Sequence, residues 1–312
     1  MIDNEPSAEN QNFSKTLEFK FPEELFKYLN ISSSNEYIIN FNDFLFFDVN
    51  PSIFIISYSL CFKGYLNNIF SNDAINLLLV ININSGIVEK IFYSFSRITC
   101  ICAINEYEDI IIGGREDGVI DIFDMKPINE KFYLNYENLN KNIIFYEDDN
   151  EIRPQFNLKL PQFSTQNYHN SKIIKLKKMK LENNSFKIIS LDFNGNIMIW
   201  ECLDKDIKEI HKIDNPPIRM IKEISLDRIL SRDNNGKKIK CFNMEMKISL
   251  NNRDSLYILS NLGLLKIEID ISEQHIYTFI HNNEIEPAVL TAFSLSDNGY
   301  LLCSYNDSCI KY

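Results

Sequence analysis

The sequence predicts an all-β chain built from a repeated four-stranded unit, and three observations carry that expectation. The first is a hairpin that recurs. Ile111 to Asp124, Ile188 to Glu201 and Leu301 to Tyr312 superimpose as an apolar strand, a small-residue step, an Asp/Asn-Gly/Ser turn, an alternating strand and a closing aromatic. The second is the chemistry of the turn: Asp117-Gly118 and Asn194-Gly195 supply the positive φ that a tight turn between right-twisted strands requires. The third is the period-2 alternation after the turn, with Val119, Asp121 and Phe123 set against Ile120 and Ile122, which marks a half-buried strand. Chance could give one such hairpin; three with the same offsets indicate one repeated blade. Stacked blades of this kind form a β-propeller, here expected to have six to seven.

In chain order, six units are traceable at about 37–95, 97–165, 167–212, 216–252, 254–281 and 286–312. The first pairs Ile53–Ser59 with Leu77–Asn82 across a long loop, and the second begins at Ile98–Ala103. Ser171–Leu181 opens the third and Pro217–Ile224 the fourth, whose weaker hairpin runs from Ile229 to Gly236 and on to Ile239 and Phe242. Tyr257–Gly263, leading to Leu265 and Ile267, belongs to the fifth, and Ala288–Ser294 opens the sixth. The domain plan is therefore a propeller over 37–312 with an insertion at about 126–165, preceded by an extension over 1–36. Pro22 is well placed to start a short helix over 22–30. The last unit shows strands at about 288–294, 300–304 and 309–312, with Tyr312 in the position of Phe123 and Trp200. An open blade edge is a liability. The alternating stretch Lys15–Phe21 is expected to supply the fourth strand; the alternative is an edge left open or covered by a partner chain.

Composition narrows the function classes. With 32 Lys+Arg against 43 Asp+Glu, a net charge of −11 excludes a long basic groove, so nucleic acid is not an expected partner. No apolar run approaches the roughly 18 residues of a membrane span, so no membrane insertion is expected. Met1–Asn10 is acidic and polar, unlike a signal peptide, and an intracellular location is expected. The seven Cys, an odd number without CxxC spacing, read as reduced small hydrophobes. His169, His211, His275 and His281 are dispersed, and surface or loop positions are expected for them. Gly113-Gly114 reads as a strand end, since no phosphate-loop pattern follows it. No distinctive carboxylate pair stands out. The reading names no catalytic, cofactor-binding or metal-ligating residue and expects no enzyme and no cofactor.

Two segments suggest partners. Lys172, Lys175, Lys177, Lys178 and Lys180 interleave with apolar residues, either as a strand with one solvated rim, the favoured reading, or as a basic patch for an acidic partner. In the insertion, Tyr133, Tyr136, Phe145 and Tyr146 either pack on the blade surface or anchor a partner peptide.

The hairpins closing on Phe123-Asp124 and Trp200-Glu201 resemble the WD-repeat family, although its Gly-His opening dipeptide is absent: His169 lies two residues before Ser171. That departure leaves the propeller expected and its usual Asp-His network not expected. A finer resemblance lies between Arg153 and Trp200. Arg153-Pro154-Gln155-Phe156, Pro161-Gln162-Phe163-Ser164-Thr165, His169, Ser171, Ile173-Ile174 and Phe186-Lys187-Ile188-Ile189-Ser190-Leu191-Asp192, then Gly195 and Trp200, are similar to the central blades of the cytoplasmic dynein-2 intermediate chains. Cys100-x-Cys102, Gly113-Gly114-x-x-Asp117-Gly118 and Ile55-Ile56-Ser57-Tyr58 are also similar to them. The resemblance implies a non-catalytic motor subunit that binds the dynein-2 heavy chain tail, with a second intermediate chain as a further partner. It implies retrograde intraflagellar transport and a location in cytoplasm, cilium and basal body. Members of that family recruit light chains through a long N-terminal extension; about 36 residues precede the first strand here, so light chains are not among the expected partners. An unrelated WD-repeat scaffold of a trafficking or coat-like complex is the alternative, and a propeller enzyme the third reading.

Overall fold

The computed structural model describes residues 37–47, 50–62, 74–84, 87–104, 109–125, 158–166, 168–180, 186–202, 210, 215–226, 244–249, 255–269, 277–282, 290–296, 300–306 and 310–311. The expected strand at 15–21, the helix at 22–30 and most of the insertion lie outside them. Every element in the described residues is a β-strand. No helix there is long and apolar enough to cross a membrane.

The strands form five sheets. The first contains β1 (Tyr37–Phe46), β2 (Ile53–Phe62), β3 (Ile75–Asn82) and β4 (Ile87–Ser94), paired antiparallel in sequence order. The second contains β5 (Ile98–Ala103), β6 (Ile110–Arg115) and β7 (Ile120–Asp124). Two short strands at the end of the insertion then tie these sheets together. β8 (Leu158–Lys159) runs parallel to β4 on the first sheet, and β9 (Phe163–Ser164) pairs with β7 as the outer strand of the second. The third sheet is β10 (Ile173–Lys180), β11 (Phe186–Asp192), β12 (Asn196–Cys202) and β13 (Ile218–Ser225). β14 (Glu245–Ile248), β15 (Ser255–Ser260), β16 (Gly263–Glu268) and β17 (Tyr277–Asn282) make the fourth. β18 (Leu290–Leu295), β19 (Leu301–Tyr305) and β20 (Ile310–Lys311) make the three-stranded fifth.

Two expected unit boundaries move. Ile218–Ser225 does not open a fourth unit; it closes the third sheet, with Cys202 opposite Ile218 and Asn196 opposite Ser225. Similarly, Glu245–Ile248 opens the fourth sheet against β15 rather than ending an earlier unit. A closing strand and an opening strand carry the same period-2 pattern, so alternation alone cannot distinguish them. What separates them is exposure: β13 turns Arg219, Ile221 and Glu223 outward, as an outer edge strand does.

The architecture is a WD-repeat-like β-propeller. Each of β5, β10 and β14 touches the opening strand of the preceding sheet, so β1, β5, β10 and β14 line the inside. Consecutive sheets share apolar cores. Ile55, Leu78 and Phe92 meet Ile101 and Phe123 across the first junction, where the Phe92 and Phe123 rings lie 5.2 Å apart. Ile112 and Ile122 meet Ile188 and Trp200 across the second. Leu191 and Ile199 meet Met246 and Leu265 across the third, and Leu264 meets Phe293 across the fourth. As expected from the repeat, Trp200 is fully buried on the third strand of its sheet and faces the neighbouring one. Gly114 shows how closely the sheets approach: a Cβ there would lie 2.7 Å from Ile173 Cγ2 and 2.8 Å from Cys100 Sγ.

Candidate functional site

Two buried polar networks sit at the hairpin-turn ends of the second and third sheets. In the third sheet, His169, Asp192, Ser190 and Trp200 are all essentially inaccessible. His169 Nδ1 lies 3.2 Å from Asp192 Oδ2, and Nε2 lies 2.7 Å from Ser190 Oγ. Trp200 Nε1 donates to Ser190 Oγ at 2.8 Å. A carboxylate only accepts, so Nδ1 carries the proton that it donates to Asp192. The Ser190 hydroxyl accepts the indole N–H, donates to the Met198 carbonyl at 3.3 Å and lies within hydrogen-bond distance of Nε2, so one hydroxyl joins Trp200 to His169. Asp192 also accepts the backbone N–H of Asn194 and of Asn196, at 2.9 and 2.8 Å, and so shapes the turn.

His169 lies in a loop, as expected, but it is buried and structural rather than at the surface. The Asp-His pair is present, contrary to expectation, without a Gly-His dipeptide, since Tyr168 precedes the histidine. The required feature is spacing. Ser190 follows His169 by 21 residues and Asp192 by 23, which lets the loop before β10 fold back over the β11–β12 turn. Of the other histidines, His281 lies on β17, and His211 and His275 fall outside the described residues.

The second sheet keeps the geometry with different chemistry. In the superposition of the two hairpins, Gly113, Arg115 and Phe123 replace Ser190, Asp192 and Trp200. The buried carboxylate is now Asp121, with no accessible surface. Arg115 donates to it at 3.1 Å, the Ser94 hydroxyl from the end of β4 at 2.8 Å, and the Ser164 hydroxyl from β9 at 2.6 Å. Arg115 also pairs with Asp117 in the turn. Burial pushes the Asp121 carboxyl above its ordinary range, against the opposing pull of Arg115 and the two hydroxyls. One carboxylate thus holds the first sheet, the second sheet and the end of the insertion together.

The turns themselves interlock. Gly118 has φ of 88°, and its carbonyl accepts the His169 N–H at 3.0 Å. The turn of the second sheet therefore seats the loop that delivers His169 to the third.

A third group lies on the inner wall. Asp43 on β1 accepts the backbone N–H of Ile101 at 2.8 Å and feels the charges of Lys175 and Lys177 on β10. Burial dominates and raises its pKa, opposed by two backbone hydrogen bonds and by both lysines. Between these strands lie the free thiols of Cys100 and Cys102, and burial raises both above the ordinary thiol range, Cys100 well above it. Such thiols are poor nucleophiles. Gly113 and Gly114 lie within β6, as a strand end rather than a phosphate loop. Among the described residues no group of three or more His, Cys, Asp or Glu is placed to hold a metal.

No family model matches the chain, and no curated protein does. Among solved structures, it is similar to Sqt1 of Chaetomium thermophilum, in a crystal structure bound to the N-terminus of the ribosomal protein L10. The two are 10% identical over 88% of this chain and 71% of that one, with a TM-score of 0.48.

Proposed function

We propose that the chain is a non-catalytic WD-repeat-type scaffold that binds other proteins. The observation that carries this reading is that the His169–Asp192–Ser190–Trp200 chain and the Arg115–Asp121 cluster are buried and satisfied by their own members. A general base or nucleophile must reach a substrate. These groups bond to one another and to the turns and backbone beside them, and their effect is to hold turns and sheets in place.

Within that class, the finer proposal is an intermediate chain of the dynein-2 motor that holds the heavy chain tail for retrograde intraflagellar transport, with a second intermediate chain as co-partner. It would act in the cytoplasm, the cilium and the basal body. Its support is the residue pattern from Arg153 to Trp200, joined by Cys100-x-Cys102 and Gly113-Gly114. The test is affinity purification of the tagged chain from ciliated cells, followed by identification of the bound proteins. A dynein heavy chain is expected in the bound fraction. Recovery of a coat or trafficking assembly without any heavy chain would replace the dynein reading with the alternative scaffold.

A further inference from the structure

The lysine-rich strand lies at the inner wall rather than at an outer edge of its sheet. β10 is the opening strand of its sheet and lies between β5 and β14 on the inner wall. Most of the described lysine side chains are engaged. Lys172 and Lys178 sit over the rings of Phe193 and Phe186, Lys222 and Lys247 donate to backbone carbonyls, and Lys266 faces Glu268. Lys90 and Lys187 have interactions as well. Lys175 and Lys177 make no hydrogen bond or ion pair among the described residues, and the charge they share is Asp43, whose carboxylate already accepts the N–H of Ile101 and of Phe44.

Their spacing is informative. The β-bulge of this strand lies between Ile173 and Lys175, so beyond it Lys175 and Lys177 leave the same side of the strand. Two residues along a strand separate side chains by roughly 7 Å. That is also the spacing of alternate side chains in an extended peptide. Lys177 is exposed and Lys175 half-buried, so neither side chain is sealed from solvent. In a chain of net charge −11, two cations that share a single carboxylate on an inner strand are a local exception to the overall field.

We propose that Lys175 and Lys177 receive two carboxylates, spaced two residues apart, from an extended acidic segment of a partner protein. This deepens the scaffold reading and rests on it, by naming the chemistry of the partner. Nucleic acid would meet the same two lysines, but its affinity rests on many more phosphate contacts than two cations supply.

The probe is a fluorescein-labelled peptide of alternating Glu and Ser, compared with one of alternating Gln and Ser, by fluorescence anisotropy on the full chain. The Glu peptide is expected to bind, more weakly as salt rises, and the Gln peptide not to bind. K175E/K177E is expected to weaken binding at least about tenfold, K175R/K177R to retain it, and K266E to leave it unchanged. Circular dichroism of each variant confirms that it folds. Equal binding of both peptides, no binding of the Glu peptide, or a loss in K266E matching that of the double variant overturns the proposal. A single-stranded oligonucleotide that binds where the Glu peptide does not also overturns it. The two readings fail separately: if K175E/K177E still captures the cellular partners of the parent chain, the lysine site falls and the scaffold stands. If the Glu peptide binds through these lysines but no protein is captured from cells, the site stands and the scaffold reading falls.

Discussion

At Trp200 two kinds of stabilisation coincide: a large apolar surface buried between the second and third sheets, and an indole N–H bound to Ser190. Trp200→Ala is expected to cost about 3 to 5 kcal/mol, as a large-to-small core change does. Trp200→Phe keeps most of the packing but leaves Ser190 without its donor, at about 1 kcal/mol. Denaturant unfolding of both variants checks the pair, and a loss below about 1 kcal/mol for Trp200→Ala would contradict the register of β12. Asp43 gives a different signature. Its pKa is raised in the folded chain, so the folded state holds the proton more tightly than the unfolded one. The stability it contributes is present in full below the ordinary value of 3.8 and is lost as pH rises through the raised one. Asp43→Asn removes that titration while keeping an acceptor for Ile101. Urea midpoints across the acidic range are therefore expected to fall less with rising pH just above 3.8 in the variant than in the parent. Equal slopes would show that Asp43 does not titrate in this way.

Among the elements, the turns separate two costs that are usually confounded. Gly118 and Gly195 have nearly equal φ, 88° and 82°. A Cβ on Gly195 would meet nothing closer than Leu226 Cβ at 3.3 Å, whereas one on Gly118 would lie 2.1 Å from the His169 carbonyl oxygen. Gly195→Ala is therefore expected to cost about 1 to 2 kcal/mol, mainly the strain of a left-handed conformation. Gly118→Ala adds a backbone clash that must displace the loop carrying His169, and a cost well above about 2 kcal/mol is expected. Parallel thermal or urea denaturation of the two variants measures the difference, and equal losses would mean that the loop before β10 yields freely. The β8 and β9 strands have an analogous role at the outer edge. They are only two residues each, yet one extends the first sheet and the other completes the second. Short strands of this size are marginal alone, and the Ser164–Asp121 hydrogen bond supplies part of what holds β9 in place.

Over the whole molecule, four consecutive junctions between sheets are filled by cores shared between both sides. At the two ends of the series the described residues differ. Phe41, Phe44 and Phe46 on β1 are about half exposed, and on the fifth sheet Leu302 and Ile310 are exposed on strands that pair no fourth partner among the described residues. Lys15–Phe21, which lies outside the described residues, is proposed as that fourth strand: it places Leu17, Phe19 and Phe21 on one side and Glu18 and Lys20 on the other. Deleting residues 1–21 is then expected to lower the melting temperature or to drive self-association, because it bares an edge. A truncated chain that remains monomeric and melts unchanged, by calorimetry and light scattering, would remove this strand from the ring.

The fold class was legible because it depends on local chemistry. The Asp-Gly and Asn-Gly turns, the alternation that follows them and the aromatics at Phe123 and Trp200 repeat within short windows, and hairpins are decided within such windows. Sheet membership was only partly legible. The strand at 218–225 has the same alternation whether it opens one blade or closes another, and its pairing with β12 and its outward-facing residues decide between them. The polar networks depend on tertiary structure still more. His169 reaches Ser190 and Asp192 across 21 and 23 residues because β10 and β11 fold back on each other, and Asp121 collects Ser94, Arg115 and Ser164 from three separate strands. The position of Lys175 and Lys177 on the inner wall is likewise a consequence of sheet order. The residues themselves determined that this chain would make hairpins with one buried face. Which sheet each strand joins, which polar groups are buried together and which cations share one carboxylate were decided only by packing one sheet on the next, because those contacts join residues that no local pattern links.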